Sequence, residues 1–220
     1  NVAPMCAVLD PEFIITCPKN IAVSSGLDTM VHAIEGITAR TSTPITSLLG
    51  CRAFALMYEW LPKFISGEKT FEVCEHMLIS SYLAGIAMMN AGGGPASGVS
   101  YPLGVHFKVP HGMAGGIFLR HVFDINVKKG YQGYTEVYKH LHDSTLLHNQ
   151  PSQHFLELFD NFYELVGGPM NLDEWNCSGD DAIQLLFDLT VEQRQENLNL
   201  NPVEFSHSDL KDLLGRVCSQ

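Results

Sequence analysis

Hydrophobic residues recur along most of this chain at the three- and four-residue spacing of amphipathic helices. Proline opens the first predicted helix at residue 18, and the pattern continues to residue 37, with a break expected near residues 25–26. Thr43-Pro44 opens a second helix that continues to residue 61. A third helix, residues 71–89, has almost no charge in its second half. We therefore expect it to lie deep in the core.

The rest of the chain is also mostly helical in pattern. One helix is expected to begin after Pro110 and to continue past Phe118. Residues 91–104, "AGGGPASGVSYPLG", predict a loop or a tight broken turn, because glycine and proline interrupt regular structure. The apolar run at residues 5–9, "MCAVL", ends at Asp10-Pro11 and predicts one short strand. Four further amphipathic helices are expected at residues 130–142, 152–166, 179–197 and 207–217. The predicted class is all-α, a multi-helical domain with one short leading strand.

Composition narrows the function classes. The 220 residues are 45% hydrophobic, which is enough for one large domain or two small ones. A net charge of -11 argues against nucleic acid and anionic membranes as partners, and no uncharged apolar stretch is long enough to span a bilayer. The six cysteines form no CxxC pair, which favours reduced, buried thiols in a cytoplasmic protein. The sequence does not begin with Met and its first residues show no pattern of a targeting signal, and we expect it to begin partway through a longer protein.

The stretch "GLDTMVHAIE" carries the first candidate chemistry. Asp28 and His32 are four residues apart on a predicted helix and therefore project from one face. One carboxylate and one imidazole can supply two ligands to a divalent metal. The alternative is a simple Asp–His hydrogen bond, and the pair alone leaves both interpretations open. His111, at the predicted helix start in "VPHGMAGG", and His106 are further candidate ligands.

The remaining histidines and the glycine-rich segment have simpler interpretations. His76, on the apolar third helix, is expected to be a core histidine with its hydrogen bonds satisfied. "NAGGGPASG" follows a helix instead of a strand, so it does not predict a phosphate loop; its glycines instead permit a sharp turn and close backbone approach to a site. Solvated histidines are expected at His121, His140, His142, His148, His154 and His207.

Several motifs in order resemble one known family. The succession "LDPEF…GLDTMVHAIEG…AGIAMMNAG…YPLG…VPHGMAGGIFL…NP" is similar to the C-terminal half of iron-containing (group III) alcohol dehydrogenases, from Asp10 to about Leu214. The resemblance implies a dehydroquinate synthase-like architecture, in which a Rossmann-like N-terminal domain binds NAD(P) and an all-helical C-terminal domain holds a divalent metal in the cleft between them. On that basis residues 1–10 would be a remnant of the last strand of the cofactor domain, and residues 11–220 the helical metal and substrate domain.

The resemblance also implies site residues. Asp28, His32 and His111 correspond to three metal ligands of the family. Its HxxxHPLG motif reads "SGVSYPLG" here, which places Ser97 at the position of the fourth ligand and Tyr101 at the histidine beside nicotinamide and substrate. A serine hydroxyl is a poor ligand, so we expect Fe(II) or Zn(II) to bind more weakly. Tyr101 is the expected catalytic and cofactor-contacting residue, because a phenol can donate a proton to a forming alkoxide; the alternative is that it only fills the space of the imidazole.

The implied function is that of an NAD(P)-dependent, metal-dependent alcohol dehydrogenase or aldehyde reductase. Hydride would pass between nicotinamide and a carbonyl polarised by the metal. The full-length protein would act on a small alcohol or aldehyde and form a homo-oligomer, and the chain alone would be inactive. Two alternatives remain: a metal-free reductase of the same fold, motivated by Ser97, and a catalytically silent binding module.

Overall fold

Helices account for nearly all regular structure in residues 5–141 and 151–218, the parts of the chain that the computed structural model describes. Two single 3-10 turns, Pro11–Phe13 and Asp173–Trp175, accompany them. The helices are α1 (Lys19–Thr38), α2 (Pro44–Ile65), α3 (Phe71–Ala91), α4 (Pro95–Phe107), α5 (His111–Lys128), α6 (Tyr134–Leu141), α7 (Pro151–Val166), α8 (Asp180–Asn199) and α9 (His207–Cys218). The all-α class is confirmed.

The predicted leading strand is not formed. Residues 5–9 are exposed and have no regular secondary structure. A strand needs a neighbour for its backbone hydrogen bonds, and no other segment within the described ranges is a strand. The prediction of a strand at residues 5–9 is therefore wrong for this structure. The assignment of residues 1–10 to a cofactor domain stays a prediction.

The segment predicted as a loop at residues 91–104 is mostly helix α4. Gly92 ends α3 with a φ of +86°, a conformation that glycine adopts readily. Pro95 then occupies the first turn of α4, where its missing N–H costs nothing. Pro102 lies inside α4 without ending it. The glycines and the first proline therefore mark the boundary between two helices. The prediction of a loop or a tight broken turn is correct only for residues 92–94 and wrong for the part of the segment that forms α4.

Local hydrogen bonds explain where other helices begin. Thr43 and Thr46 form a reciprocal capping box at the start of α2, and Thr70 accepts the backbone N–H of Val73 at the start of α3. The break expected near residues 25–26 is absent, because α1 runs unbroken from Lys19 to Thr38. The expected helix after Pro110 is α5, and the last four predicted helices correspond to α6–α9.

Helix α3 is less buried than its composition predicted. Phe71, Tyr82 and Met89 are 58%, 46% and 75% exposed, whereas Val73, Ala84 and Ala87 on the other side are fully buried. The buried side packs on α1 and α2. Residues of α3 are apolar on all sides of the helix, so the sequence does not indicate which side packs against the rest of the domain. The expectation of a deeply buried helix was therefore wrong for one side of α3.

An aromatic cluster joins α2, α5, α6 and α7. The ring of Phe123 lies edge-on to Tyr134, Phe155 and Phe159, with centroid separations of 4.8, 5.3 and 5.0 Å. Aromatic pairs prefer such edge-to-face contacts, and large rings contribute much of the buried area of a core. Helix α1 packs against α2, α3 and α5, which holds it firmly in place. Among the described residues, no helix is long and apolar enough to cross a membrane.

Candidate metal centre

Helix α1 presents Asp28 and His32 at one edge of the core. Leu27 and Val31, their neighbours, are buried and hold this part of the helix in place. The side chains of Asp28 and His32 remain 30% and 21% exposed, and His32 Nε2 lies 3.5 Å from Asp28 Oδ1. The four-residue spacing therefore places both groups on one face, as the sequence predicted.

Helix α5 brings His111 to the same place. His111 is the first residue of α5, and its Nε2 lies 3.7 Å from the same Oδ1 of Asp28. One ligand atom from each of Asp28, His32 and His111 lies within 4.8 Å of the other two. The structure thus joins three of the sequence-predicted site residues in one cluster.

Gly112 allows this approach of α5 to α1. A Cβ at position 112 would lie 1.8 Å from the carbonyl oxygen of Ser24 and 2.9 Å from Asp28 Cβ. Only a residue without a side chain can occupy this position while the two backbones remain in contact. The glycine of the "PHG" stretch is therefore what lets His111 reach Asp28.

The three side chains fit a divalent metal in number, chemistry and spacing. Ligands about 2.1 Å from a tetrahedral metal are separated from one another by roughly 3.5 Å. The two Asp–His separations, 3.5 and 3.7 Å, are close to that value. Two imidazoles and one carboxylate suit Fe(II) or Zn(II) and leave coordination positions open. The 43% exposure of His111 shows that the cluster lies at an open surface.

Ser100 fixes the ring of His111. Its Oγ donates to the carbonyl oxygen of Ser97 at 2.9 Å and lies 3.4 Å from His111 Nδ1. Because the single hydroxyl hydrogen goes to Ser97, the contact with His111 is best made by Nδ1–H as donor. The lone pair of His111 then lies on Nε2, the atom beside Asp28. Hydrogen bonds of this kind orient imidazole ligands at metal sites.

Ser97 is engaged by a buried acid instead of the cluster. Its hydroxyl donates to Glu35 Oε2, and its backbone N–H donates to Oε1 at 3.0 Å. Glu35 therefore caps the first turn of α4 from α1. Glu35 is 3% exposed, and burial raises its pKa, opposed by hydrogen bonds from Gly94 and Ser97 and by the charge of His32.

Tyr101 borders the cluster on its open side. Its ring is edge-on to the His111 imidazole, with centroids 5.6 Å apart, and Tyr101 is 52% exposed. The guanidinium carbon of Arg194 from α8 lies 3.8 Å from the centre of the Tyr101 ring. Sequence reasoning singled out neither Arg194, Ser100 nor Glu35. The only signal available was for Glu35, which is seven residues after Asp28 and so shares its face of an apolar helix.

The other histidines fall outside the cluster. His106 is exposed in the last turn of α4. His76 stacks on Trp60 at 4.3 Å and its Nδ1 lies 2.8 Å from the carbonyl oxygen of Glu72, so its polar group is satisfied as expected, but the residue is only half-buried and the expectation of a core histidine was wrong. His121 is half-buried, and burial lowers its pKa to about 4, so the expectation of a solvated side chain was wrong there. His140, His154 and His207 lie on α6, α7 and α9. His142 and His148 lie outside the described residues.

An all-α domain with an Asp-His-His cluster at its surface is a candidate metal-binding domain. Residues 22–218 match the model of the Fe-containing alcohol dehydrogenase family, C-terminal. The chain therefore belongs to this family, which confirms the resemblance seen in its motifs.

Individual relatives agree with this assignment. An alcohol dehydrogenase of Thermococcus barophilus is 32% identical over 220 residues, covering 99% of this chain and 55% of the relative. The structure of an iron-containing alcohol dehydrogenase from Thermococcus thioreducens aligns with a TM-score of 0.83 and 27% identity, over 96% of this chain and 54% of that one. The structure of sulfoacetaldehyde reductase from Bifidobacterium kashiwanohense in complex with NAD+ aligns with a TM-score of 0.84 and 25% identity. The alignment covers 96% of this chain and 54% of that one. The chain spans about half the length of the relatives it matches.

Proposed function

We propose that the complete protein containing this chain is an NAD(P)-dependent, metal-dependent alcohol dehydrogenase or aldehyde reductase. The observation that carries the proposal is the convergence of Asp28, His32 and His111 at an open surface. Family membership and the names of the relatives support it. A metal alone would fit many activities, but this fold and ligand set together favour oxidoreduction at a carbonyl.

Each residue has a role in this proposal. Asp28, His32 and His111 hold Fe(II) or Zn(II), which when bound polarises a carbonyl oxygen as a Lewis acid. Ser100 keeps the Nε2 lone pair of His111 directed into the cluster. Tyr101 is the proton donor or substrate-orienting group, because its ring borders His111 on the exposed side. Hydride from NAD(P)H and one proton together convert an aldehyde to an alcohol, leaving NAD(P)+.

The cofactor would be bound mainly by another part of the protein. Residues 11–220 form the metal and substrate domain in this proposal, and residues 1–10 belong to the end of the cofactor domain. The chain alone would then be inactive. The complete protein would be a cytoplasmic homo-oligomer that acts on small alcohols or aldehydes.

Ser97 favours a second candidate, a metal-free reductase. Residues 97, 100 and 101 lie on neighbouring positions of α4. Because Ser100 and Tyr101 both contact His111, position 97 is close enough to the cluster for a fourth ligand to extend from it. Its hydroxyl is hydrogen-bonded to Glu35, however, and contributes no strong ligand. At most three protein ligands are then available, and they would hold a metal more weakly than four. This weaker binding is what favours a reductase that works without metal.

The test uses the complete protein, stripped with a chelator and reloaded with Fe(II) or Zn(II), with oxidation of NADH or NADPH by butanal as the readout. Reloading should restore turnover, and His111→Ala should lower kcat/KM by about 100-fold or more. His106→Ala is the matched control, because this exposed histidine lies outside the cluster. Full turnover after stripping would favour the metal-free reductase. Cofactor binding without turnover would favour the silent binding module.

A further inference from the structure

Arg194 lies beside Tyr101, the residue that borders the open side of the Asp28–His32–His111 cluster. Its guanidinium carbon lies 3.8 Å from the centre of the Tyr101 ring, and that ring centre lies 5.6 Å from the centre of the His111 imidazole. The guanidinium is therefore no farther from the His111 ring than the sum of these two distances. A short organic molecule can span that separation.

Arg194 has no acidic partner within residues 5–141 and 151–218. Its Nε is buried without a hydrogen-bond partner, and its one observed interaction is with the Tyr101 ring. Three other arginines of this acidic chain are satisfied: Arg40 donates to the carbonyl of Asn201, Arg120 pairs with Asp160, and Arg216 pairs with Asp124 and Asp212. The terminal nitrogens of Arg194 also have no hydrogen bond to any described residue and, unlike Nε, are not enclosed, so a ligand that brings a carboxylate to them is favoured.

The fold holds Arg194 in place beside α4. The backbone of α8 leaves helical geometry at Arg194, where φ is -133° and ψ is 18°. A Cβ built on Gly98 of α4 would lie 3.7 Å from Arg194 Cβ, so the two helices are in close contact at this residue. The aromatic face of Tyr101 then supports the guanidinium, which limits its freedom before any ligand binds.

We infer that Arg194 binds a carboxylate at the far end of the substrate, so that the preferred substrates are short aldehydes carrying a terminal carboxylate. A guanidinium recognises a carboxylate by paired N–H donors, and such a charged contact is stronger than a neutral one. The carbonyl end would lie at Asp28, His32 and His111, with Tyr101 between the two ends. This inference rests on the proposed function, because it names the substrate class of the same site.

The test compares two aldehydes of equal carbon number, succinic semialdehyde and butanal, in the complete metal-loaded protein with NAD(P)H. The wild type should show a higher kcat/KM for succinic semialdehyde. Arg194→Gln should lower that value by roughly 10- to 100-fold and change the value for butanal by less than about threefold, because one charged hydrogen-bonded contact is lost. Retained butanal activity shows that the variant is folded.

Two further variants make the test specific. Arg194→Lys keeps the charge without the paired donors and should lose part of the preference. Arg52→Gln removes an exposed arginine of α2, a helix without substantial contact with α4 or α8, and should leave both rates unchanged. An equal loss with Arg52→Gln would indicate a general effect of net charge and would overturn the inference.

The remaining outcomes are also decisive. A wild type that reduces butanal but shows no preference for succinic semialdehyde overturns the inference and leaves the proposed function intact. An equal loss for both aldehydes in Arg194→Gln would mean that Arg194 only supports Tyr101 or pairs with another part of the protein. A wild type that reduces neither aldehyde refutes the proposed function, and the inference fails with it.

Discussion

Replacing Gly112 with alanine should separate α5 from α1 and damage the metal cluster. The added Cβ would meet the Ser24 carbonyl oxygen at 1.8 Å and the Ser24 carbonyl carbon at 2.7 Å. Both atoms belong to the backbone, so no rotation of a side chain relieves the contact, and α5 must move. Overpacking costs about 1–3 kcal/mol in general, and a backbone clash belongs at or above the upper end. For a domain of this size, about 3 kcal/mol lowers the Tm by about 6–12 °C.

Gly85→Ala provides the matched control. Gly85 lies inside α3, and a Cβ there would have no atom within 4 Å. Alanine in a helix is favoured over glycine by about 0.5–1 kcal/mol, so this variant should be slightly more stable than the wild type. The same glycine-to-alanine substitution should therefore lower the stability at position 112 and raise it at position 85, because the contacts at the two positions differ.

The assay is thermal unfolding of the metal-free proteins, followed by metal titration of those that fold. Because His111 moves with α5, Gly112→Ala should also lower metal affinity by about 10- to 100-fold, as misplaced support of a ligand does. A Gly112→Ala protein with wild-type Tm and wild-type metal affinity would refute the reasoning that this close contact builds the cluster.

Three further predictions concern the surroundings of the site. Asn201→Ala should lower the free energy of unfolding by about 1–3 kcal/mol in urea denaturation, because it leaves buried Asn126 without its 2.7 Å amide partner; a loss below about 0.5 kcal/mol would contradict this. Burial lowers the pKa of His121 to about 4, with a smaller contribution from the charges of nearby arginines. Between about pH 6.5 and 4 the unfolded state therefore binds more protons than the folded state. Stability should therefore fall as pH drops through that window, and less so in His121→Asn; parallel pH profiles would refute the assignment. Ser97→His should increase the metal retained after dialysis against a weak chelator, whereas Ser97→Ala, which also loses the contact with Glu35, should not; equal retention by both would mean that position 97 cannot supply a ligand.

The sequence predicted the helices and the convergence of Asp28, His32 and His111 better than it predicted the boundaries between elements. Asp28 and His32 could be paired because one helix fixes their relative position. His111 came from the resemblance, since nothing in its local pattern shows that α5 packs against α1. Helix α4 was missed because glycine and proline are read as breakers, although here they occupy a helix end and a first turn.

Tertiary contacts account for what the sequence could not reveal. Arg194 reaches Tyr101 only because α8 packs on α4, and no spacing along the chain encodes that contact. Ser97 likewise gave no sign that its hydroxyl would be taken by Glu35 from another helix. The exposed face of α3 was missed because its pattern has no polar side.

The most direct test of the metal centre is X-ray absorption spectroscopy of the complete protein loaded with Zn(II). One equivalent per chain should bind, with two imidazole nitrogens at about 2.0–2.1 Å and the remaining ligands oxygen. His111→Ala should reduce the imidazole count to one, and His106→Ala should leave it at two. Zinc that keeps the same ligand set in His111→Ala, or a wild type that binds no zinc, would contradict a centre built from Asp28, His32 and His111.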